Sequence, residues 1–198
     1  LIPLWGAILY AALYVVAANY YPGGSPMDKN AVGFSWMDNY WCNLLNEIAI
    51  NGQPNPARPI ALAAMAVICL SLAFFWYLFP RDIPFGKAPK LIIQGSGIMA
   101  MVVAAFIATS FHNIVIYLAS LFGVIALIGT FIGLVKMKWH RLFRIGLANL
   151  VLVALNNYLY YTKGLLLYLP LIQKITFAFF LIWMCCIVVK LYKNSAAS

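Results

Sequence analysis

Residues 60–79 read IALAAMAVICLSLAFFWYLF, twenty residues without a charge, held between Arg58-Pro59 on one side and Pro80-Arg81-Asp82 on the other. A hydrocarbon core roughly 30 Å thick is crossed by about 20 helical residues. In lipid a continuous apolar run can satisfy its own backbone only as a helix, whereas a barrel strand would alternate. Working outward, the same reading applies to Leu4–Tyr20, Leu91–Ser110, Asn113–Val135, Leu142–Tyr161 and Leu171–Leu191. Pro59, Pro89 and Pro170 fall at or beside the expected helix starts, where a missing N–H costs little, and Pro80 follows an expected end.

The whole chain agrees with this. Its 198 residues are 65% hydrophobic and only 9% charged, with a mean hydropathy of +0.92, too little charge for the surface of a water-soluble domain. The fold class is therefore all-α: a polytopic bundle of six transmembrane helices forming one domain over residues 1–198. The first stretch, ending in Val16-Ala17-Ala18, also resembles the apolar region and small-residue cleavage site of a signal peptide. It is counted as a span. The chain opens on Leu1 and not on Met, so a short preceding segment is expected.

Orientation follows from the basic residues, which cytoplasmic loops hold in excess. One set of alternate connectors carries Arg81, Lys87, Lys90, Lys136, Lys138, Arg141, Arg144, Lys190 and Lys193; the other carries Lys29, Arg58, Lys163 and Lys174. Both termini are then cytoplasmic and the first connector is extracytoplasmic, in what reads as a bacterial inner membrane. The formal charge of +9 is spread over short connectors, so topology accounts for it without a nucleic-acid partner. Lys136, Lys138, Arg141 and Arg144, around Trp139 and His140, also form a patch able to hold anionic lipid head groups, at about 1 kcal/mol per basic residue.

Cys42, Cys69, Cys185 and Cys186 show no CxxC or metal-type spacing. Small residues should mediate helix contacts, as lipid removes the hydrophobic drive between helices: Ala7 with Ala11, Ala100 with Ala104 and Ala108, and Gly129 with Gly133. Gln94, Ser96, Thr130 and Asn149 lie within spans and call for interhelical hydrogen bonds.

The first connector, nearly forty residues, is long enough to carry function. Trp36, Tyr40, Trp41, Leu44, Leu45 and Ile48 recur at helical spacing, so an amphipathic interfacial helix is expected over about 36–51, capped by Ser35 with Asp38 and ended by Gly52. Arg58 sits where the positive end of a helix disfavours a cation, which asks for an acidic partner: Asp38, Glu47 or a lipid head group.

Around this connector the sequence gathers candidate site residues. His112, at the expected turn between the third and fourth spans, with Asp38 or Glu47, would be the catalytic set of a lipid hydrolase or transferase. Trp41, Asn43, Arg58, Asn113, Asn156, Asn157, Tyr160 and Lys174 would line a polar and aromatic pocket for a lipid head group or small amphiphile. With His140 on the other side, a multi-histidine metal site or a two-histidine haem is not expected, and no cofactor is implied.

The segments Asp38-Asn39-Tyr40-Trp41-Cys42-Asn43-Leu44-Leu45, Gly52-Gln53-Pro54-Asn55-Pro56-Ala57-Arg58-Pro59 and His112-Asn113 resemble small bacterial six-helix membrane proteins of unknown function, loosely similar to DRAM-like proteins. That resemblance implies fold and topology alone. The alkaline-ceramidase-like superfamily uses three histidines that this chain lacks, and the likeness to substrate-binding subunits of energy-coupling-factor transporters rests on a common AxxxA face at Ala7–Ala11. The expected role is a binding or accessory component in contact with membrane lipids and with a larger membrane complex, with a lipid hydrolase or transferase and a transporter's substrate-binding subunit as alternatives.

Overall fold

The computed structural model describes residues 1–162 and 165–195. Lys163, counted above among the outer cations, lies outside the described residues. Among these there are six α-helices: α1 (Ile2–Asn19), α2 (Arg58–Asp82), α3 (Lys87–Ala104), α4 (His112–Lys136), α5 (His140–Thr162) and α6 (Leu169–Ser195). Extended pairing among the described residues is limited to two isolated bridges, Gly23 with Val32 and Ile48 with Pro54. The all-helical class holds, and α1, α2, α4, α5 and α6 are long and apolar enough to cross a bilayer, as in a multi-pass membrane protein.

The third helix departs from expectation. It begins at Lys87, four residues before the expected Leu91, and stops at Ala104, well before Ser110. Two lysines and the run Gln94-Gly95-Ser96-Gly97 dilute its apolar content, which leaves it outside the span-competent group. Residues 105–111 continue as tight turns, with the amides of Phe106, Ile107 and Thr109 each bonded to the carbonyl three residues earlier. Pro80 also differs: it lies inside α2, which runs on to Asp82. So close to the helix end its missing N–H removes one backbone bond, and the helix needs only two more residues.

The chain clusters into two compact units, Leu1–Leu9, Met65–Gly146 and Ile182–Ser198 in the first, Tyr10–Ala64 and Leu147–Leu181 in the second. In the first unit small residues admit large ones. A Cβ built on Gly129 would lie 2.2 Å from Ile93 Cγ1, one on Gly133 2.6 Å from Ile83 Cδ1, and one on Gly97 2.1 Å from Trp76 Cγ. The GxxxG face of α4 is thus the notch that receives α3 and the α2–α3 connector. Gln94 Nε2 donates to the Tyr77 carbonyl at 2.9 Å, joining α3 to α2, and Trp183 Nε1 donates to the Leu142 carbonyl at 2.8 Å, joining α6 to α5. Ser96 and Thr130, expected to bond across helices, donate instead to carbonyls one turn back in their own helices. On α1 the buried residues are Pro3, Ala7, Tyr10, Tyr14, Ala17 and Ala18; Ala11 is exposed, so the AxxxA face is not the packed one.

Candidate functional site

The second unit contains the first connector, and its conformation is governed by asparagine. The amphipathic helix expected over 36–51 does not form. Its place is taken by a single turn at Ser35–Asn39 and a short 3₁₀ segment, Trp41–Leu45, bounded by extended backbone at Tyr40 and Asn46. Ser35 and Asp38 do pair, with the Ser35 hydroxyl donating to Asp38 Oδ2 at 2.6 Å and the Asp38 amide donating to Ser35 Oγ at 3.2 Å. The helix then stops because side chains outbid the helical ladder for backbone groups. Asn39, fully buried, accepts the Ser35 amide at 2.8 Å and donates to the Gly24 carbonyl at 2.8 Å. Asn43 Oδ1 takes the Tyr40 amide at 2.7 Å. Asn55, also buried, addresses three carbonyls from one amide nitrogen, those of Asn43, Leu44 and Asn46 at 3.3, 3.2 and 2.9 Å, and its Oδ1 accepts the Ala57 amide at 3.1 Å.

A second fold in the connector backs this up. Ser25 Oγ receives the amides of Met27 and Asp28, and the Gly24 amide donates to the Ala31 carbonyl at 2.7 Å, so residues 22–33 double back on themselves. Gly24, at a φ of +82°, lies so close to residues 50–51 that a Cβ would meet the Asn51 nitrogen at 2.4 Å. Only glycine tolerates both the left-handed conformation and that approach.

Into this connector reaches Lys174 of α6. Its side chain is 8% exposed. Nζ donates to the carbonyl of Asn39 and, at 3.1 Å, to that of Pro170 in its own helix. The ammonium also lies 5.7 Å from the Phe34 ring centroid and 5.9 Å from that of Trp41. The rings continue as a cluster: Trp41 meets Tyr14 edge-on at 4.7 Å and Trp36 at 5.9 Å, while Phe34 meets Trp36 at 5.3 Å and Tyr21 at 5.7 Å. Trp41 Nε1 is buried and has no hydrogen-bond partner. Burial raises the Tyr21, Tyr40 and Cys42 side chains above their ordinary pKa; the Lys174 charge pulls Cys42 the other way without overcoming burial.

The remaining candidates fall into place around these contacts or apart from them. Arg58 finds the acidic partner its position called for in Glu47, at 3.0 Å, and its Nε donates to the Leu45 carbonyl at 3.1 Å. Asn156 donates to the Leu152 carbonyl and to Thr176 Oγ1 at 2.6 Å, tying α5 to α6, and its Oδ1 is buried without a partner. Asn149 Oδ1, two turns earlier on α5, is likewise unpartnered, so the hydrogen bond expected of it is not formed through that atom. Asn157 bonds back to the Val153 carbonyl, and Tyr160 is exposed, edge-on to Tyr161.

His112 and Asn113 belong to the first unit, both exposed at the start of α4, with His112 Nδ1 3.4 Å from Asn113 Oδ1. In that unit a cleft of about 200 Å³ is lined by Leu1, Pro3, Phe75, Leu78, Val188 and Leu191, with Asp82 and Tyr192 adding polar atoms. Among the described residues no three His, Cys, Asp or Glu side chains converge as a metal site, and the four cysteines are free thiols.

Sequence reasoning nominated Lys174, Trp41, Asn43, Glu47 and Arg58 but passed over Phe34, Asn39 and Asn55. The density of asparagine between 39 and 55 was the available signal, because asparagine competes for backbone groups wherever it is buried. Comparison with family models, curated proteins and solved structures returns no match.

Proposed function

We propose that this chain is a binding or accessory component of a bacterial inner membrane, with both termini cytoplasmic, whose folded first connector holds the polar head of an amphiphile against α6. The observation that carries this reading is the pairing of two hydrogen-bond donors in one aromatic surround. The Trp41 Nε1–H is buried and unpartnered, and Lys174, with three N–H bonds, uses two of them on carbonyls. A buried donor without a partner costs about 1–3 kcal/mol, which a ligand acceptor would recover. The chemistry it fits is an acceptor-rich head group such as a phosphate, a carboxylate or a sugar hydroxyl, with the rings of Phe34, Trp36 and Trp41 against its apolar part.

The hydrolase reading has less support. Asp38 holds the Ser35 hydroxyl and Glu47 is paired with Arg58, so both carboxylates have partners other than His112.

The test is gentle extraction of the whole chain followed by native mass spectrometry and identification of what is retained, comparing wild type with Trp41→Phe, which keeps a ring and removes the N–H. One amphiphile retained in near-stoichiometric amount by wild type and lost from the variant is the expected result. Equal retention by both proteins, or none by wild type, overturns the reading.

A further inference from the structure

We propose that the first unit carries a binding surface for anionic phospholipid, centred on the α4–α5 connector and the adjoining ends of α2 and α6. The charges are divided unevenly between the two units. The first holds nine basic side chains and one carboxylate, Asp82; the second holds four basic side chains and three carboxylates. Among the described residues the ion pair present, Arg58 with Glu47, belongs to the second unit. Nine cations against the single carboxylate of Asp82 leave most of this charge without an acidic counterpart in the unit, and the partner it fits is a phosphate anion.

These cations are also held in place. The Arg81 guanidinium lies 3.8 Å above the Tyr77 ring, Lys136 Nζ 4.7 Å from the Phe85 centroid and Lys190 Nζ 6.0 Å from that of Trp139. Lys90 Nζ donates to the Arg81 carbonyl at 2.8 Å. An aromatic face steadies a cation without cancelling its charge, so part of the ordering cost of binding is met beforehand.

The connector adds an observation that orientation signalling does not explain. At the end of α4 the Lys138 amide bonds to the Val135 carbonyl and the Trp139 amide to the Leu134 carbonyl, the paired closure of a Schellman motif. Lys138 occupies its left-handed position at φ +59°, where glycine is the favoured residue. A bare topology signal would work as well from Met137 or His140. Lysine at the strained position places one more exposed ammonium beside Trp139, a residue type suited to the head-group level.

The experiment uses the full chain in nanodiscs of phosphatidylcholine doped with phosphatidylglycerol, reading the lipids retained on release by native mass spectrometry. Both faces of a nanodisc offer the same lipids, so orientation does not enter. Wild type is expected to retain phosphatidylglycerol over phosphatidylcholine. Lys136→Gln and Lys138→Gly should each lower that selectivity about five-fold, the equivalent of ~1 kcal/mol per charge, while Lys138→Gly, relieved at its backbone, loses no thermal stability in neutral detergent. Equal retention of the two lipids by wild type, or selectivity unchanged in both variants, overturns the proposal and leaves these charges as an orientation signal. This surface is independent of the Trp41 site: Trp41→Phe leaves its selectivity intact.

Discussion

Replacing Asn55 by Ala removes a side chain that contacts the backbone of four other residues. Its two N–H bonds serve three carbonyls and its Oδ1 serves the Ala57 amide, so about three hydrogen bonds are lost. At about 1 kcal/mol net each, and with groups left buried and unpaired, the connector should lose roughly 3 kcal/mol of local stability. That corresponds to about a hundredfold change in the opening equilibrium. The loss falls on the connector, because helices held by lipid and by their own ladders do not depend on Asn55. Hydrogen exchange in detergent is the assay. The amides of Ala49, Asn55, Ala57 and Arg58, each bonded within the connector, should exchange about a hundredfold faster, while helical circular dichroism stays unchanged. Asn55→Asp should be worse than Asn55→Ala at neutral pH, since a carboxylate would face three carbonyls, and should ease in acid as it takes up a proton. Unchanged exchange in Asn55→Ala, or an aspartate milder than alanine, would refute the account.

Lys174→Met keeps the stem and removes the ammonium, stranding the Asn39 and Pro170 carbonyls; exchange over residues 34–45 should rise while α6 remains helical. Gly129→Ala should destabilise the α3–α4 pair by about 1–3 kcal/mol through overpacking, because the new Cβ meets Ile93 at 2.2 Å, and adding Ile93→Ala should restore most of the loss in a detergent melting series. The Cys42 thiol, pushed up by burial, should ionise at a higher pH than an ordinary exposed thiol. Its maleimide reaction should therefore lag that of a free thiol at pH 8, and the stability it contributes should decline only as alkaline pH ionises the unfolded thiol first.

How far the sequence could be read depended on what kind of force set each feature. The spans at α2 and α4 were legible because a bilayer imposes a one-dimensional requirement of length and apolarity that needs no knowledge of neighbours. α3 was legible only in part, since its position rests on Ile93 entering the Gly129 notch as much as on its own hydropathy. The need of Arg58 for an acid could be seen from helix electrostatics, and Glu47 meets it. The conformation of residues 36–51 could not. The apolar spacing there is helical, but Asn39 bonds 15 residues back to Gly24 and Asn55 11 and 12 residues back to Leu44 and Asn43. The clasp of Lys174 on Asn39 joins positions 135 apart in sequence. Such pairings are set by tertiary approach, which periodicity does not encode.

The diluted apolar content of α3 bears on how this protein is made. Two lysines and the Gln94–Gly97 run weaken the drive of α3 itself to enter lipid, and α4, the more apolar helix whose glycine notch takes Ile93, directly follows it. This pairing favours entry of α3 together with α4, as a helical hairpin in which α4 rescues the weaker helix. Lengthening the turns at 105–111 would delay that rescue and expose α3 to quality-control proteases, whereas the same insertion at the α4–α5 connector would not.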